Sequence, residues 1–380
     1  MRVAIIGAGV LGASTAFHLA LAGAGVVVAD QAHAGRATAA GAGIISPWSS
    51  GRVDPGWRRI AEAGARYYPT LIEQLAEAGE VETGYRRVGA LSVAADHTEL
   101  DQIERAVRAR QAEAPEAGEV ARLSPAEARA LSAAAPGPRR GTCQRRGPRR
   151  WAAARRRAAA GGRAAGCALP HRPGRTAGPR RARDRDPAGL RGHRGGLRGR
   201  RGRGLGTGDA EAPRRFLAVV PQRGQITHLR LEGVDTGAWP VVLPRSSHYL
   251  LAFGGSRVVV GATRETGSGF DYRVTAAGQA EVLNEALAIA PGLGPATLVE
   301  TRIGFRPVGP DLRPMLGRIA GLDGLVIGNG LGPSGLTIGP LAGRLLAQLV
   351  LGEAPELDLA AYDPLRLPGD AAGDGAEPVR

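Results

Sequence analysis

The stretch VAIIGAGVLGASTAFHLALAGAGVVVAD, residues 3–30, decides how the first part of this chain folds. Its pattern predicts a short apolar strand, a glycine-rich turn, an apolar helix and a second strand that ends at Asp30. Within the turn, Gly7, Gly9 and Gly12 form the pattern GxGxxG. Glycine at these places permits a tight turn, a close approach of the backbone to a pyrophosphate, and close packing of the helix on the strand.

These residues predict a binding site for an adenine dinucleotide. Val10 and Leu11 begin the helix, where unpaired N–H groups and the positive end of the helix dipole favour phosphate. Asp30 follows Gly12 by 18 residues, a place from which a carboxylate accepts hydrogen bonds from a ribose hydroxyl. An acid there disfavours NADP, but the motif alone leaves NAD and FAD open.

The charge of the chain is unevenly distributed. Its 380 residues include no lysine and carry a net charge of +15. Residues 139–203 hold 22 of the 50 arginines and only two of the 35 acidic residues, so the remainder is mildly acidic. The same stretch has no valine or isoleucine and only three leucines, too little apolar area to offset the entropy of ordering. The sequence therefore predicts no regular element there.

Three interpretations of residues 139–210 stay open. They are a basic arm or RNA-binding insertion, a divergent loop, and a product of reading a GC-rich gene out of frame. The third is favoured because codons built from G and C alone encode Arg, Ala, Gly and Pro, the residues that dominate here. It predicts that residues 140–210 are poorly ordered and that the chain binds FAD weakly or not at all.

Cysteine content and hydropathy give expectations about compartment. The only cysteines are Cys143 and Cys167, without the spacing of a disulfide framework or of a metal site. We read no apolar run of the ~20 residues that a membrane span needs, and no secretory leader after Met1. We therefore expect a cytoplasmic protein without a metal ion or a nucleic-acid partner, whose membrane contact, if any, is peripheral.

Three further motifs carry a resemblance to a known family. They are GRATAAGAGIIS at residues 35–46, GFRPVGPD at 304–311 and GNGLGPSGLT at 328–337. In this order they resemble the D-amino-acid oxidase superfamily of FAD enzymes, and most closely bacterial D-amino-acid dehydrogenases and glycine oxidases. The resemblance covers about residues 1–135 and 216–366, and residues 139–210 depart from it.

The resemblance implies an α/β fold with two domains. A Rossmann-like FAD-binding domain is expected from residues 1–80, 140–215 and 303–368. A substrate domain, a mostly antiparallel β-sheet with helices, is expected from residues 81–139 and 216–302. Residues 369–380 are expected to form a disordered tail, since they are rich in Gly, Ala and Asp.

The resemblance also implies which residues hold the cofactor. Gly7, Gly9, Gly12 and Asp30 match the family's ADP-binding turn and ribose acid. A loop beside the pyrophosphate and the flavin ring is matched by Thr38, Gly41, Gly43 and Ile44. A helix start beside the flavin pyrimidine is matched by Gly335, Leu336 and Thr337. Some relatives attach flavin through cysteine, but both cysteines here lie in the departing stretch, so non-covalent FAD is expected.

The implied reaction is oxidation of a small amino acid, with a D-amino acid favoured, by hydride transfer from Cα to flavin N5. The imino acid product hydrolyses to a 2-oxo acid and ammonia, and oxygen or a quinone takes the electrons. Arg306 matches the family residue that grips the substrate carboxylate, and Tyr249 matches a tyrosine of the pocket. Alternatives are glycine or sarcosine oxidation and, in another class, an Arg-rich nucleic-acid binder or an inactive, frame-disrupted protein.

Overall fold

The polypeptide alternates between helices and strands from its first residues, in a computed structural model that describes residues 1–132, 142–146 and 217–366. For residues 142–146 only the backbone is described. The helices are α1 (Val10–Leu21), α2 (Ala37–Ala40), α3 (Pro55–Glu77), α4 (His97–Glu113), α5 (Pro125–Leu131), α6 (Ala276–Ile289) and α7 (Gly335–Leu351). The strands are β1 (Arg2–Ile6), β2 (Gly25–Ala29), β3 (Ala90–Val93), β4 (Glu119–Leu123), β5 (Thr142–Arg146), β6 (Val220–Arg230), β7 (Val241–Pro244), β8 (Tyr249–Phe253), β9 (Arg257–Gly261), β10 (Thr297–Val308), β11 (Met315–Ile319) and β12 (Leu322–Asn329).

The first three elements form the βαβ unit that the sequence predicts. Strands β1 and β2 pair in parallel, from Arg2 opposite Gly25 to Ile6 opposite Ala29, and α1 connects them. Among the described residues this sheet has two strands, and the side chains of Ile6 and Val27 are largely exposed. A parallel sheet is ordinarily covered on both faces, so the exposure of these apolar side chains is unusual.

Helix α7 packs directly against α1 through small residues. A Cβ atom at Gly343 would lie 2.5 Å from Cβ of Ser14, and one at Gly339 would lie 2.7 Å from Cγ1 of Val10. The hydroxyl of Ser14 also donates to the carbonyl of Pro340 at 2.7 Å. This packing brings the start of α7 close to the glycine turn that begins α1.

The same helix corrects our reading of hydropathy. The segment Gly332–Leu351 is long and apolar enough to span a membrane by length and composition, which the sequence analysis overlooked. Its apolar window is 61% buried against other parts of the molecule, however, as in the core helix of a globular protein. Ile338, Leu341 and Leu345 pack there with the aromatic residues of α3.

A mixed sheet of eight strands forms the largest layer. Its order is β10-β6-β9-β8-β7-β3-β5-β4, and every neighbouring pair is antiparallel except β3 with β7. Helix α6 covers part of it, with Val282, Ala286 and Ile289 buried against Val258 and Val260. The expected α/β class with a second, mostly antiparallel sheet is therefore confirmed.

Two strands differ from the sequence-based expectation. Strand β5 lies inside the arginine-rich stretch, so the prediction that no regular element occurs there is wrong for Thr142–Arg146. Its backbone pairs with β3 on one side and β4 on the other, and such pairing forms a strand without apolar periodicity. The apolar residues within 298–303 predict a strand that ends at Ile303, whereas β10 continues to Val308. It is an edge strand, where Pro307 removes no ladder hydrogen bond that a central strand would need.

The remaining expectations for the arginine-rich stretch concern residues outside the described ranges. These are its poor order and its origin in a shifted reading frame. Residues 369–380, the expected disordered tail, also lie outside the described ranges, and the expectation that the chain binds FAD weakly or not at all stays a prediction. The proposed division into two domains also stays a prediction, and β10 crosses its boundary at residues 302 and 303.

Candidate active site

The glycine turn before α1 has the geometry of a cradle. Gly7 has a φ angle of +102°, which favours glycine, and its N–H donates to the carbonyl of Ala29 at 2.7 Å. A Cβ atom at Gly12 would lie only 2.0 Å from the carbonyl oxygen of Gly7, so no larger residue fits where the helix meets the turn. These glycines hold the first turn of α1 against the end of β1.

Asp30 is fixed beside this turn by the backbone. Its carboxylate accepts hydrogen bonds from the N–H groups of Ala8 at 2.7 Å and Ala32 at 2.6 Å. These bonds, the one from Ala8 foremost, hold the pKa of Asp30 below its ordinary value. The side chain therefore carries its negative charge at neutral pH and has lone pairs left to accept from a ligand hydroxyl.

Helix α2 and the residue that follows it connect the glycine turn to α7. The hydroxyl of Thr38 accepts from the N–H of Val10 at 3.0 Å, and a Cβ atom at Gly9 would contact the same hydroxyl. Gly41 lies against Leu336, where a Cβ atom would come within 2.7 Å of Cδ1. The predicted cofactor residues of the three separate motifs, Gly43 and Gly335 among them, thus lie along one cavity.

The hydroxyl of Thr337 completes this connection. It donates to the carbonyl of Ile44 at 3.4 Å, a long hydrogen bond between the start of α7 and the loop. Ser334, the residue before α7, makes no side-chain hydrogen bond to the first N–H groups of the helix. The residues that carry these N–H groups line the cavity.

Arg306 lies on β10 opposite Gln222 of β6, with its guanidinium over Gly224. A Cβ atom at Gly224 would lie 2.7 Å from Nη2, so a larger residue there would displace the guanidinium from this position. Nη1 donates to the carbonyl of Thr263 at 3.0 Å. Within the described residues, Nε and Nη2 have no partner. One edge of the guanidinium is therefore anchored while the other remains available, although burial lowers the pKa of Arg306.

Tyr249 faces the same part of the cavity from β8. It pairs with Gly261 of β9, and the missing side chain at Gly261 leaves space around its hydroxyl. Burial raises the pKa of Tyr249 to about 12, although the charge of Arg306 acts in the opposite direction. The phenol consequently remains protonated and can donate a hydrogen bond throughout the physiological range.

Two arginines of the site were missed by sequence reasoning. Arg52 donates from Nη1 to the hydroxyl of Ser334 at 2.7 Å, and its guanidinium stacks 4.9 Å from the centre of the Trp57 ring. Arg264 directly follows Thr263, whose carbonyl anchors Arg306. Neither arginine lies in a recognisable sequence motif. Each lies in a loop, and only the tertiary fold brings that loop to the cavity.

A single cavity of about 2110 Å³ extends from the glycine turn to Arg306 and Tyr249. It is larger than the ~300–1,000 Å³ of a typical small-ligand pocket, and so has room for a dinucleotide and a small substrate together. Of the predicted site residues, all those named above line it, including Val10, Leu11 and Ile44. The fold and this cavity are those of a dinucleotide-binding protein, and the cavity is also lined by the guanidinium groups of Arg52, Arg264 and Arg306.

Comparison with known proteins specifies the class. The sequence model of the family described as DAO, FAD dependent oxidoreductase, matches residues 2–349. The chain therefore belongs to this family and is an FAD-dependent oxidoreductase. No group of three or more potential metal ligands occurs within the parts of the chain that the structure describes.

Individual relatives match along nearly the whole chain. The crystal structure of iminodiacetate oxidase from Chelativorans sp. BNC1 is 44% identical, covers 96% of this chain and 99% of its own, and gives a TM-score of 0.75. An uncharacterized oxidoreductase, YurR of Bacillus subtilis, is 42% identical over 95% of this chain and 97% of its own length. A glycine oxidase of Pseudomonas aeruginosa is 30% identical, with 96% and 98% covered.

The residues present fit the cofactor of this family. The turn at Gly12 is a cradle that a single methyl group would obstruct, and Asp30 is a fixed hydrogen-bond acceptor beside it. Two helix N-termini without a side-chain cap from their N-cap residues, and a cavity of sufficient volume, complete the set. FAD is accordingly the cofactor, and which residues hold each of its parts is proposed below.

Proposed function

We propose that this chain oxidises the Cα–N bond of a small amino acid to the imino acid. Water then hydrolyses the imino acid to a 2-oxo acid and ammonia. If the substrate nitrogen carries a second substituent, a primary amine is released in place of the ammonia. FAD, when bound, supplies the two-electron acceptor for the hydride that leaves Cα. The observation that carries the proposal is the half-paired guanidinium of Arg306, which lines the same cavity as the glycine turn.

Arg306 is the proposed carboxylate anchor. A carboxylate pairs with a guanidinium through two parallel N–H bonds, and Nε and Nη2 are the edge that no described residue occupies. The bond from Nη1 to the carbonyl of Thr263 fixes the orientation of this edge. A substrate held by two bonds to a fixed plane has its Cα placed within a narrow range, which accelerates a transfer that depends on geometry.

Tyr249 is proposed to assist as a neutral donor. With its pKa raised to about 12, the phenol of Tyr249 stays neutral. It therefore forms no ion pair with Arg306 and does not compete there with the substrate carboxylate. Its hydroxyl supplies one further hydrogen bond at small entropic cost, because a tyrosine side chain has few rotatable bonds.

The cofactor residues are proposed motif by motif. Gly7, Gly9, Gly12 and the first residues of α1, Val10 and Leu11, would hold the pyrophosphate, and Asp30 the ribose. The loop residues Thr38, Gly41, Gly43 and Ile44 would pass the flavin ring, with Gly335, Leu336 and Thr337 beside the pyrimidine. Contacts between Gly41 and Leu336 support placing both loops at one part of the ligand.

The substrate nitrogen is proposed to arrive uncharged. Arg52, Arg264 and Arg306 all carry positive charge at this end of the cavity, and an ammonium group would be repelled by them. The arginines therefore favour the free amine, which is the form that can release a hydride from Cα. No described acidic side chain lines this end to act as a base.

Two groups of substrates are candidates. A D-amino acid is the expectation from sequence, and a D-amino acid dehydrogenase of Xanthobacter autotrophicus is a relative, although it matches only 38% of this chain. Glycine or an N-substituted glycine is the second candidate. It is supported by the greater coverage of the relatives named glycine oxidase and iminodiacetate oxidase. Their names also favour oxygen over a quinone as the acceptor, and the cytoplasm stays the predicted compartment.

A product assay tests the proposal. The full chain with FAD is incubated with D-alanine, L-alanine, glycine, sarcosine and iminodiacetate, and 2-oxo acid and released amine are measured. We expect 2-oxo acid from D-alanine or from at least one of the achiral amines. The molar yield of 2-oxo acid should equal that of the ammonia or amine released. An absence of both products from every amine would contradict the proposal, and salt-dependent binding to duplex DNA without flavin would favour the nucleic-acid alternative.

A further inference from the structure

The substrate end of the cavity contains more positive charge than one carboxylate requires. Three guanidinium groups, those of Arg52, Arg264 and Arg306, line it. Nη1 of Arg306 donates to the carbonyl of Thr263, the residue before Arg264, while Nη1 of Arg52 donates to the hydroxyl of Ser334 at the start of α7. These three residues, which we call the arginine triad, surround the space where the substrate is proposed to bind.

No member of the triad is paired directly with a carboxylate of a described residue, although the charge of Glu265 acts on Arg306. Two other arginines that line the cavity have carboxylate partners, Arg36 with Asp30 and Arg245 with Glu99. Arg110 and Arg318 donate instead to backbone carbonyls. The triad has no ion pair with a described residue. The one acidic side chain among the described residues lining the cavity is Asp30, at the distant glycine turn.

The unbalanced charge of the triad is also costly to maintain. Burial, followed by the charges of Arg264 and Arg306, lowers the pKa of Arg52 to about 10. Like charges held together in a partly dehydrated space repel one another unless an anion joins them. An amino acid with one carboxylate would pair with Arg306 and leave two guanidinium groups unpaired.

We propose that the substrate carries two carboxylates, one on the carbon that is oxidised and one on the far side of the amine. Arg306 binds the first carboxylate, while Arg264 and Arg52 bind the second. The substrate class is then an N-carboxymethyl amino acid or a related amine flanked by two carboxylates. This assignment rests on the proposed function, since it places the second carboxylate relative to Arg306.

Arg264 is the residue that selects this class most cleanly. It has no recorded partner among the described residues, so its donors are free for a ligand. Arg52 is already oriented by Ser334 and by the Trp57 ring, and its other donors extend the same site. A planar guanidinium recognises carboxylate by paired bonds, so both residues suit this role.

Unreactive analogues test the binding independently of catalysis. Diglycolate is iminodiacetate with oxygen in place of the amine, and methoxyacetate is the matching analogue with one carboxylate. We measure both dissociation constants by calorimetry on the FAD-loaded full chain. Diglycolate is expected to bind at least tenfold more tightly than methoxyacetate, with the difference shrinking as salt rises. Equal affinities would overturn the proposal.

Variants locate the second carboxylate. We expect Arg264→Gln to raise the dissociation constant of diglycolate roughly tenfold to a hundredfold, as loss of a charged hydrogen-bonded pair does. The dissociation constant of methoxyacetate should rise much less. Arg108→Gln is the matched control, because Arg108 is exposed on α4, paired with Glu104, and does not line the cavity. If Arg264→Gln weakens the two analogues equally, the proposal is wrong.

A second variant and a substrate pair complete the test. Arg264→Lys keeps the charge and should restore part of the preference, which a purely structural role would not predict. With substrates, the ratio of kcat/KM for iminodiacetate to that for sarcosine should fall at least tenfold in Arg264→Gln.

The outcomes separate this inference from the proposed function. Oxidation of sarcosine without any preference for diglycolate would leave the proposed function standing and overturn the two-carboxylate assignment. An arginine-dependent preference for diglycolate, without oxidation of any amine, would support the binding assignment and contradict the reaction.

Discussion

The glycine at position 12 gives the sharpest test of how the fold holds its cofactor. Replacing Gly12 with alanine places a Cβ atom 2.0 Å from the carbonyl oxygen of Gly7, 3.1 Å from its carbonyl carbon and 3.3 Å from Cγ2 of Ile5. The nearest atom belongs to the backbone, so no rotation of a side chain can relieve the contact. The turn and the first turn of α1 must separate by about 1.4 Å or more to restore an ordinary contact distance.

That displacement has a cost in both stability and affinity. Overpacking of a close contact costs about 1–3 kcal/mol of folding free energy. The same movement displaces the N–H groups that are proposed to bind the pyrophosphate. We expect FAD to lose about 2 kcal/mol of binding free energy, which is roughly a thirtyfold rise in its dissociation constant.

Flavin fluorescence titration measures the dissociation constant, and thermal unfolding of the FAD-free chain measures the loss of stability separately. The matched control is Gly254→Ala, since a Cβ atom at Gly254 meets nothing within 4 Å. The control should leave both quantities unchanged. A Gly12→Ala variant whose FAD dissociation constant stays within threefold of wild type would refute the reasoning.

Three further changes have defined outcomes. Arg306→Lys should lower kcat/KM roughly a hundredfold or more, because one ammonium cannot replace two parallel guanidinium bonds; initial rates check this, and an effect under threefold would contradict it. Tyr249→Phe should raise KM about five- to fiftyfold by removing one hydrogen bond. Because burial raises the pKa of Tyr249 to about 12, the wild-type rate should show no loss from its ionisation up to about pH 10; a phenol ionisation near pH 9 would contradict this. Asp54→Asn should destabilise the fold by about 2 kcal/mol in urea unfolding at pH 7, because the buried Arg313 loses a carboxylate partner at 2.9 Å.

The pH dependence of the Asp54 effect follows from its pKa. Burial alone would raise this pKa, but the hydrogen bonds from Arg313 and the N–H of Trp57 outweigh it and lower the pKa. A carboxylate with a lowered folded pKa contributes stability above its unfolded value of ~4 and loses it as pH falls through the folded value. The difference between wild type and Asp54→Asn should therefore shrink below about pH 4. A difference that persists at pH 2 would contradict this account.

Local sequence signals predicted those parts of the fold that depend on near neighbours. The spacing of apolar residues predicts helices over Val10–Leu21 and about Ala276–Ile289, and α1 and α6 have these bounds. The pattern Ser124-Pro125-Ala126-Glu127 predicts a capping box, and both of its reciprocal hydrogen bonds are made. Each of these features is stabilised by contacts within a few residues of chain, so the sequence alone contains the information.

Features that depend on distant partners were missed. Strand β5 forms because β3 and β4 offer backbone partners on both sides, and nothing in its own five residues indicates this. Arg52 and Arg264 likewise lie in loops without a motif, more than 200 residues apart in the sequence. Only the closing of the cavity between α7 and the large sheet brings them to the side of Arg306. The sequence resemblance identified Arg306 but could not indicate its cationic neighbours.

Anaerobic reduction of the bound flavin tests the central claim most directly. The FAD-loaded chain is mixed with sarcosine or iminodiacetate in the absence of oxygen, and the visible absorbance of the flavin is followed with time, for wild type and Arg306→Lys. The account predicts bleaching of the wild-type flavin by at least one of these amines, and bleaching at least a hundredfold slower in the variant. Flavin that stays oxidised in wild type, or bleaches equally fast without Arg306, would contradict it.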